Sequence, residues 1–340
     1  MKPKRLLPGD TIATISPSWG CAGASDVRWR YDLGVHRLEA LGLHVVSAPN
    51  ALRGEEYLDK NPQARADDLM WAFENKDVQA IIANIGGNDS HHILPYLSAQ
   101  SIQQNPKVLC GYSDVTTLHL YCHRLGLSTF YGSNLLTTIA ENDNWHPYSK
   151  YWFEKTLFDT APLGVIPSSF DCSLDPNQVF DQEHTKQYEP NPGYQRIQGS
   201  GIARGKLWGG NGETLLMCAA LDAPLINTQD FKNTILFIED LPQSWNQAYI
   251  ERLFRWLGNA GHLQTLSGII IGRFHTGQPS FPYRDIIKSI ITNEYALPDL
   301  SVLYGLNFGH MSPICMLPYD AEAEINVDNL SFRILEHAVL

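Results

Sequence analysis

The stretch VLCGYSDVTTLHLY, residues 108–121, places a short apolar run, a glycine, a serine and an acid directly before a run with helical spacing. The apolar run predicts a buried strand, and the following run predicts a helix. Gly111 has no Cβ, so the chain can turn tightly between them. The helix N-terminus would supply free N–H groups and a positive dipole end to a negative charge that forms beside Ser113. The pattern is typical of a nucleophile elbow, with Ser113 as the nucleophile.

A simpler interpretation of the same residues is a helix cap. Serine and aspartate are frequent N-cap residues, and either Ser113 or Asp114 could fill that role. The tetrapeptide Gly111–Asp114 also lacks the second glycine of the G-x-S-x-G pattern of common esterases. These four residues alone therefore leave both interpretations open.

Predicted strands alternate with predicted helices along the first part of the chain. Apolar runs predict strands at residues 11–16, 43–46, 79–84 and 108–110, and helical spacing predicts helices at 26–41 and 65–74. This alternation predicts a parallel α/β sheet. Ligands of such sheets bind at the carboxyl ends of the strands, where Ser16, Gly86 and Ser113 fall.

A glycine pair, Gly86-Gly87, follows the third predicted strand and precedes a helix. It could bind phosphate through its N–H groups, but it lacks the lysine of a P-loop and the third glycine of a dinucleotide fingerprint. Acyl transfer needs two N–H donors directed at an oxyanion, and the N–H groups of Gly87 and Asp114 are the predicted pair. A plain Gly-Gly turn is the alternative.

The composition excludes several classes of protein. The net charge is −11 and the pI is about 5.5, so a nucleic acid polymer is not an expected partner. No run of about 18 apolar residues predicts a membrane helix. The basic start has no long apolar segment after it, so we expect a cytoplasmic protein without a signal peptide. The six cysteines are scattered, which predicts buried free thiols.

The length of 340 residues predicts about two domains. A polar, poorly periodic segment from Pro167 to Gly201 separates two regular regions. We therefore expect an N-terminal α/β domain at 1–165, a polar loop or linker at 166–203, and a smaller C-terminal mixed α/β domain at 204–340. Long loops in compact proteins often cover functional sites, and Tyr188 and Tyr194 in this loop could stack on a base.

A serine nucleophile needs a base and a carboxylate that orients the base. In the second half of the chain, Glu239 and Asp240 end one predicted strand, and His310 follows another. The pattern of the strand does not separate the two adjacent acids. His91 and His92, beside the glycine pair, are the alternative bases.

His119 and His123 stand four residues apart on the elbow helix, as metal-binding histidines do. The H-E-x-x-H motif of zinc peptidases would need a glutamate at position 120, where this chain has Leu120. We therefore expect both histidines to lie at the edge of the core and predict no metal.

These motifs together resemble the LD-carboxypeptidase family of serine peptidases (peptidase family S66), which includes the microcin C self-immunity peptidases. The resemblance covers nearly the whole chain. It rests on GGNDS at 86–90, GYSD at 111–114, GGN at 209–211, FIED at 237–240, GIIIGRF at 268–274 and FGH at 308–310. One departure is visible: the family usually has a proline-hydrophobic-glycine turn after the histidine, and Asp320 takes the place of that glycine here.

The resemblance implies a catalytic triad of Ser113, Glu239 and His310, with Glu239 preferred over Asp240, and an oxyanion hole of Gly87 and Asp114. It implies a homodimer with a Rossmann-like N-terminal domain, and an amide hydrolysis that needs no cofactor or metal. From the same motifs, we expect substrate contacts from Asn88, Asp89, Tyr112 and Asn211.

The resemblance leaves two substrates open. The microcin branch hydrolyses an amide in a small aminoacyl-nucleotide, and the murein branch removes D-alanine from muropeptide tetrapeptides. The long polar loop favours the microcin branch. A non-catalytic sensor of peptides or nucleotides is an alternative from another class, but it would not need all three triad residues. An oxidoreductase on a Rossmann-like sheet would need G-x-G-x-x-G after the first strand, which the chain lacks.

Overall fold

A computed structural model of the chain describes residues 1–175, 180–222, 225–274 and 282–340. Its α-helices are α1 (Arg28–Glu39), α2 (Glu55–Lys60), α3 (Pro62–Glu74), α4 (Ala99–Gln104), α5 (Thr116–Arg124), α6 (Pro147–Phe158), α7 (Gly212–Ala219), α8 (Gln247–Asn259) and α9 (Tyr283–Ser289). Among the described residues, no helix has both the length and the apolar character needed to cross a membrane.

The first sheet is built from the alternating elements of the N-terminal region. Its first five strands are β1 (Thr11–Ile15), β2 (His44–Ser47), β3 (Val78–Ala83), β4 (Val108–Gly111) and β5 (Phe130–Tyr131). They lie parallel in the order β2-β1-β3-β4-β5. Both faces of β4 are buried, which explains why its sequence is an unbroken apolar run.

The remaining strands are β6 (Gly164–Val165), β7 (Asp171–Cys172), β8 (Glu189–Pro190), β9 (Gln195–Gln198), β10 (Ile202–Asn211), β11 (Thr234–Glu239), β12 (Gly268–Gly272), β13 (Ser301–Leu306), β14 (Leu317–Pro318), β15 (Glu322–Asn326) and β16 (Ser331–Ile334). The second sheet has the order β6-β16-β15-β10-β11-β12-β13-β9, with β10 to β13 parallel and antiparallel strands on both sides. β7 and β8 pair separately.

The predicted fold class is therefore confirmed: a parallel-strand sheet in the N-terminal region is followed by a second, mixed sheet. The two sheets exchange strands across the expected domain boundaries. β14, from the C-terminal region, pairs antiparallel with β5, and β6, from the N-terminal region, pairs with β16. Backbone hydrogen bonds between strands therefore join the N-terminal and C-terminal regions.

The described part of the polar segment at 166–203 contains short strands and tertiary contacts. β9 forms the edge of the second sheet, and the bridge between Ser173 and Ser312 ties the start of the segment to the residues after His310. Further along, the Tyr188 hydroxyl donates to the buried carboxylate of Glu141. Residues 176–179 of this predicted loop lie outside the described residues.

All six cysteines are buried free thiols, as the sequence predicted. Burial raises the pKa of Cys122 to about 12, because the charged thiolate would lose its hydration. These thiols are therefore packing groups at neutral pH.

Candidate active site

The predicted strand–turn–helix around Ser113 is present. β4 ends at Gly111, a 3-10 turn covers Ser113–Val115, and α5 begins at Thr116. Ser113 has φ +68°, in the left-handed region that residues other than glycine rarely adopt. Such a conformation costs roughly 1–3 kcal/mol and persists only when the surrounding structure enforces it. The strain at this serine is what a nucleophile elbow requires.

Neither Ser113 nor Asp114 acts as a side-chain cap of the helix. The N-cap position of α5 makes no side-chain cap hydrogen bond, and the same holds for the preceding 3-10 turn. The Asp114 carboxylate instead accepts from the N–H of Ser90, at 2.8 Å, in the glycine-pair loop. The helix-cap interpretation is therefore wrong, and Asp114 ties the elbow to the neighbouring loop.

Glu239 and His310 are in direct contact. Nδ1 of His310 lies 2.7 Å from Oε2 of Glu239, and the His310 backbone N–H donates to the same oxygen at 2.9 Å. Because a carboxylate only accepts, Nδ1 carries the proton, which leaves Nε2 of the neutral ring as the acceptor. Both side chains are buried. This is the geometry of an oriented general base.

Charge stabilises this pair against the cost of burial. Burial alone would lower the pKa of His310, but the charge and hydrogen bond of Glu239 outweigh it and raise the pKa above the ordinary value. Burial alone would raise the pKa of Glu239, and the opposing His310 contacts lower it instead. Glu239 is thus held ionised beside His310.

Asp240, the other acid of the predicted strand end, has hydrogen-bond partners other than His310. Its carboxylate accepts from Nδ2 of Asn211 at 3.0 Å, from the Tyr249 hydroxyl at 2.6 Å and from the Glu213 N–H at 2.9 Å. Burial and the neighbouring Glu239 charge raise the pKa of Asp240 to about 6. The geometry therefore favours Glu239 as the orienting acid and gives Asp240 a role at the start of α7.

One pocket brings Ser113 and His310 together. The lining of this pocket, among the described residues, consists of Trp19, Ile85, Gly86, Gly87, Tyr112, Ser113, Asn134, Thr137 and His310. His91 and His92, the alternative bases, are not in this lining. Their rings pack on each other, with centroids 4.2 Å apart. His310 is thus the histidine that shares a pocket with Ser113.

The glycine-pair loop lies directly against the elbow. A Cβ built on Gly86 would lie 2.9 Å from Oγ of Ser113 and 3.3 Å from the backbone nitrogen of Asp114. Gly87 has φ +150°, and a Cβ there would overlap Ser18. Only glycine permits these two approaches, and the one at Gly86 brings the glycine pair against Ser113 and the backbone nitrogen of Asp114. The arrangement is compatible with the predicted oxyanion hole, whose function stays a prediction.

The four predicted substrate-contact residues occupy different environments. Tyr112 lines the pocket, with its ring centroid 5.1 Å from that of His310, and Asn88 is exposed at the loop. The Asp89 carboxylate accepts from Arg65 and Ser18, at 2.7 and 2.8 Å. The Asn211 side chain caps α7. The contacts of Asp89 and Asn211 position the loop and the helix, and all four substrate contacts remain predictions.

His119 and His123 have separate partners. His119 is fully buried between the Gly111 carbonyl, 2.9 Å from Nε2, and the Thr129 hydroxyl, 2.8 Å from Nδ1. His123 instead lies between two carboxylates of the C-terminal region, Asp230 and Asp320. His119 is therefore a core residue, against the expectation that it lies at the edge of the core, and the two rings share no hydrogen-bond partner.

The sequence analysis missed several residues of the site. Trp19, Asn134 and Thr137 line the pocket, and the Tyr131 hydroxyl accepts from the Ser113 backbone N–H and donates to Glu239. Tyr131 ends β5, so the rule that sites form at the carboxyl ends of parallel strands could have identified it. Thr137 sits in a π-helical turn at Leu135–Ile139, which no periodicity in the sequence indicates.

Comparison with known protein families gives two matches in this chain. Residues 12–132 match the LD-carboxypeptidase N-terminal domain, and residues 204–325 match the LD-carboxypeptidase C-terminal domain. The matched regions contain Ser113 and Glu239. His310 also lies inside the second region.

Three curated relatives are similar to this chain over nearly its full length. A putative carboxypeptidase, YocD, of Bacillus subtilis is 32% identical over 98% of this chain and 98% of its own. The microcin C7 self-immunity protein MccF of Escherichia coli is 30% identical over 97% and 94%. A probable murein peptide carboxypeptidase of Bacillus subtilis is 29% identical over 96% and 91%.

A solved structure is similar over the whole chain. MccF in complex with aspartyl sulfamoyl adenosine superimposes with a TM-score of 0.86, at 26% identity, and covers all of both chains. The likeness therefore extends to the order and packing of both sheets.

Proposed function

This chain belongs to the LD-carboxypeptidase family of serine peptidases, and we propose that it hydrolyses an amide in a small aminoacyl-nucleotide through a Ser113–Glu239–His310 triad. The observation that carries the proposal is the 2.7 Å contact between Glu239 and His310 in a buried pair whose histidine shares a pocket with Ser113. A binding module would have no need of an ionised carboxylate behind an oriented histidine.

The acylation step follows from this geometry. Oγ of Ser113 attacks the carbonyl carbon of the amide while Nε2 of His310 takes the hydroxyl proton. Glu239 stabilises the resulting imidazolium. The N–H groups of Gly87 and Asp114 hold the oxyanion of the tetrahedral intermediate. As the intermediate collapses, the C–N bond breaks, His310 returns the proton to the leaving nitrogen, and an acyl ester on Ser113 remains.

Deacylation repeats the sequence with water. His310 takes a proton from the water molecule, the resulting hydroxide adds to the ester carbonyl, and the Ser113 oxygen leaves and regains its proton from His310. The products are a free carboxylic acid and the amine of the nucleotide part. Charge is balanced at every step by residues of this chain, so the reaction needs no cofactor.

Two observations support the aminoacyl-nucleotide as the substrate class. The relative MccF is 30% identical and has been solved with aspartyl sulfamoyl adenosine. The polar segment is also near the pocket: the ring of Phe180 lies 5.9 Å from that of Trp19, which lines it. Tyr194, one of the two predicted stacking residues, is instead buried, and its hydroxyl donates to the Ile166 carbonyl. The prediction that Tyr194 stacks on a base is therefore wrong.

Removal of D-alanine from a muropeptide tetrapeptide is the second candidate, because a probable murein peptide carboxypeptidase is 29% identical over nearly the whole chain. Both candidates share the triad and the acyl ester. They differ only in the group on each side of the amide.

Mass spectrometry of two parallel incubations tests the proposal. One contains aspartyl sulfamoyl adenosine and the other a muropeptide tetrapeptide, each with wild type and Ser113→Ala. Release of aspartate by wild type alone supports the proposed substrate class. Release of D-alanine by wild type alone supports the second candidate. Equal turnover by Ser113→Ala contradicts Ser113 as the nucleophile, and no turnover of either substrate favours the sensor.

We also propose a domain division at 166–203, a homodimer and a cytoplasmic location. The two family matches, which lie on either side of the polar segment, support the division. The free cysteines support a reducing compartment. Light scattering at several protein concentrations would measure the oligomeric state, and a mass of one chain at all of them would contradict the dimer.

A further inference from the structure

Tyr131 occupies the space between the elbow and the strand that carries Glu239. It is the last residue of β5, is fully buried and is paired in register with Gly111 of β4. Its ring packs on Phe237, with centroids 5.3 Å apart, and Phe237 precedes Glu239 by two residues on β11. Side chains two residues apart share one face of a strand. The phenol thus points from the first sheet towards the carboxylate of the second.

The Tyr131 hydroxyl bonds to two members of the site at once. The Ser113 backbone N–H donates to the hydroxyl oxygen at 3.1 Å, and the hydroxyl donates to Oε1 of Glu239. The directions are fixed, because an N–H only donates and an ionised carboxylate only accepts. The other carboxylate oxygen, Oε2, accepts from Nδ1 of His310. One hydroxyl therefore links the strained serine to the acid that orients the base.

We infer that Tyr131 is a positioning residue of the acyl transfer: it holds Ser113 in its left-handed conformation and keeps the Glu239 carboxylate directed at His310. The inference rests on the proposed function, since it concerns the same triad. Tyr131 is absent from the pocket lining of the described residues, so it acts through Ser113 and Glu239.

Loss of the hydroxyl has two separable consequences. First, the Ser113 N–H and Oε1 of Glu239 lose a buried partner, which relaxes the elbow and lowers kcat. Second, the positive end of the O–H dipole no longer offsets the Glu239 charge, so the carboxylate stabilises the His310 imidazolium more strongly. His310 must be neutral to act as a base. The acid limb of the kcat/KM profile should therefore move to higher pH.

The test compares wild type, Tyr131→Phe and the control Tyr194→Phe on whichever of the two substrates wild type hydrolyses. Tyr194 is a buried tyrosine whose hydroxyl donates to a backbone carbonyl away from the triad. For Tyr131→Phe, we expect kcat to fall on the order of 10-fold or more, KM to change by less than about 3-fold, and the acid limb to move upward. The control should keep the wild-type pH profile.

A second readout does not depend on the substrate. Intact-mass measurement of Ser113 modification by a fluorophosphonate, as a function of pH, follows the same serine and histidine.

Burial and the Glu239 charge raise the pKa of Tyr131 well above its usual range, so its hydroxyl stays protonated throughout. 3-Fluorotyrosine at position 131 is a second variant, and it is sufficient alone if Tyr131→Phe does not fold. The fluorine makes the phenol a stronger donor and should move the acid limb to lower pH.

The outcomes separate the inference from the proposed function. The inference alone is overturned if wild type is active but Tyr131→Phe keeps the wild-type pH profile and kcat. It is also overturned if the acid limb of the 3-fluorotyrosine variant does not move. A wild type that neither hydrolyses a substrate nor reacts with the fluorophosphonate overturns the proposed function, and the inference with it. If the acid limb moves to higher pH in Tyr131→Phe and to lower pH in the 3-fluorotyrosine variant, the result supports both the inference and the proposed function.

Discussion

Gly309 lies so close to Glu239 that a Cβ built on it would overlap the carboxylate. Its φ of +84° is in the left-handed region that favours glycine. This close approach lets the backbone N–H and the ring Nδ1 of His310 reach the same oxygen of Glu239. The glycine before the histidine therefore permits the contact by which, in the proposed mechanism, Glu239 orients His310.

Gly309→Ala should inactivate the enzyme while leaving it folded. The added methyl group displaces the Glu239 carboxylate or the His310 backbone, and loss of the oriented base should lower kcat/KM by about 100-fold or more. The measurement is hydrolysis of whichever substrate wild type accepts, together with the melting temperature.

Gly261→Ala is the matched control. Gly261 also has a positive φ, +75°, but a Cβ there would meet nothing within 4 Å. Both variants carry the backbone strain of alanine in the left-handed region, roughly 1–2 kcal/mol, and only Gly309→Ala adds the overlap. Equal activity in the two variants would contradict a specific role for Gly309.

The pH dependence of the reaction should report the raised pKa of His310. Burial opposes protonation of this ring, but Glu239 outweighs burial, so the folded-state pKa lies above the ordinary 6.5. A general base acts when neutral, so kcat/KM should rise with pH to a plateau, with its midpoint above 6.5. A profile measured from pH 5 to 10 checks this. A midpoint at or below 6.5 would mean that Glu239 does not act on His310 in this way.

The strands that carry the candidate site could be predicted from the sequence, because each site residue lies at or shortly after the end of a short strand. Apolar runs locate the strands, and the carboxyl ends of parallel strands meet at one edge. That rule alone predicts that Ser113 lies close to the glycine pair. Glu239 and His310 belong to the other sheet, so their approach to Ser113 depended on the family resemblance rather than on the strand pattern.

Contacts that depend on packing between the sheets could not be predicted. Tyr131 meets Glu239 across 108 residues of sequence, and no local pattern marks that contact. The sequence predicts Asp89 as a substrate contact and leaves Asp240 as one of two candidate orienting acids, but each has buried partners that only the fold supplies. The exchange of β6 and β14 between the sheets is likewise set by packing, since strands of two residues carry almost no sequence signal.

Substitution of the two adjacent acids should separate catalysis from stability. Glu239→Gln removes the charge beside His310, and we expect kcat to fall by about 100-fold or more with little change in KM. Asp240→Asn replaces one of the two acceptor oxygens by a donor, so either the Glu213 N–H or the Asn211 amide loses its acceptor and the start of α7 is weakened. This should cost roughly 1–3 kcal/mol of unfolding free energy and leave most of the activity.

Denaturant unfolding and steady-state kinetics of both variants make the comparison. The two changes are isosteric and neighbouring, so each serves as the control for the other. A loss of activity in Asp240→Asn as large as that in Glu239→Gln would show that the two acids act as a unit, against the roles that their contacts support.

Asp320 replaces a glycine of the family pattern and adopts φ +64°, which confirms that an aspartate can fill this left-handed position. Its carboxylate lies 3.0 Å from Nδ1 of His123, and Asp230 lies 3.5 Å from Nε2. Burial would lower the pKa of His123, but the two carboxylates outweigh it and raise the pKa to about 9. A protonated histidine thus joins α5 to the C-terminal region.

His123→Gln should therefore lower the melting temperature in a pH-dependent way. A pKa raised on folding contributes stability that is fully present below the unfolded pKa of about 6.5 and is lost as pH rises through about 9. The difference between wild type and His123→Gln should be largest near pH 6.5 and should shrink by pH 10. Activity at pH 7 should be retained, because His123 is absent from the pocket lining of the described residues.

Asp320→Gly distinguishes the ion pair from the turn itself. Glycine relieves the left-handed strain but removes one partner of His123, so its stability relative to wild type should improve as pH rises through about 9. Thermal unfolding of the three proteins from pH 6 to 10 measures both trends. A stability difference that stays constant over this range would mean that His123 is neutral in the folded protein, and that packing rather than charge joins the elbow helix to the second sheet.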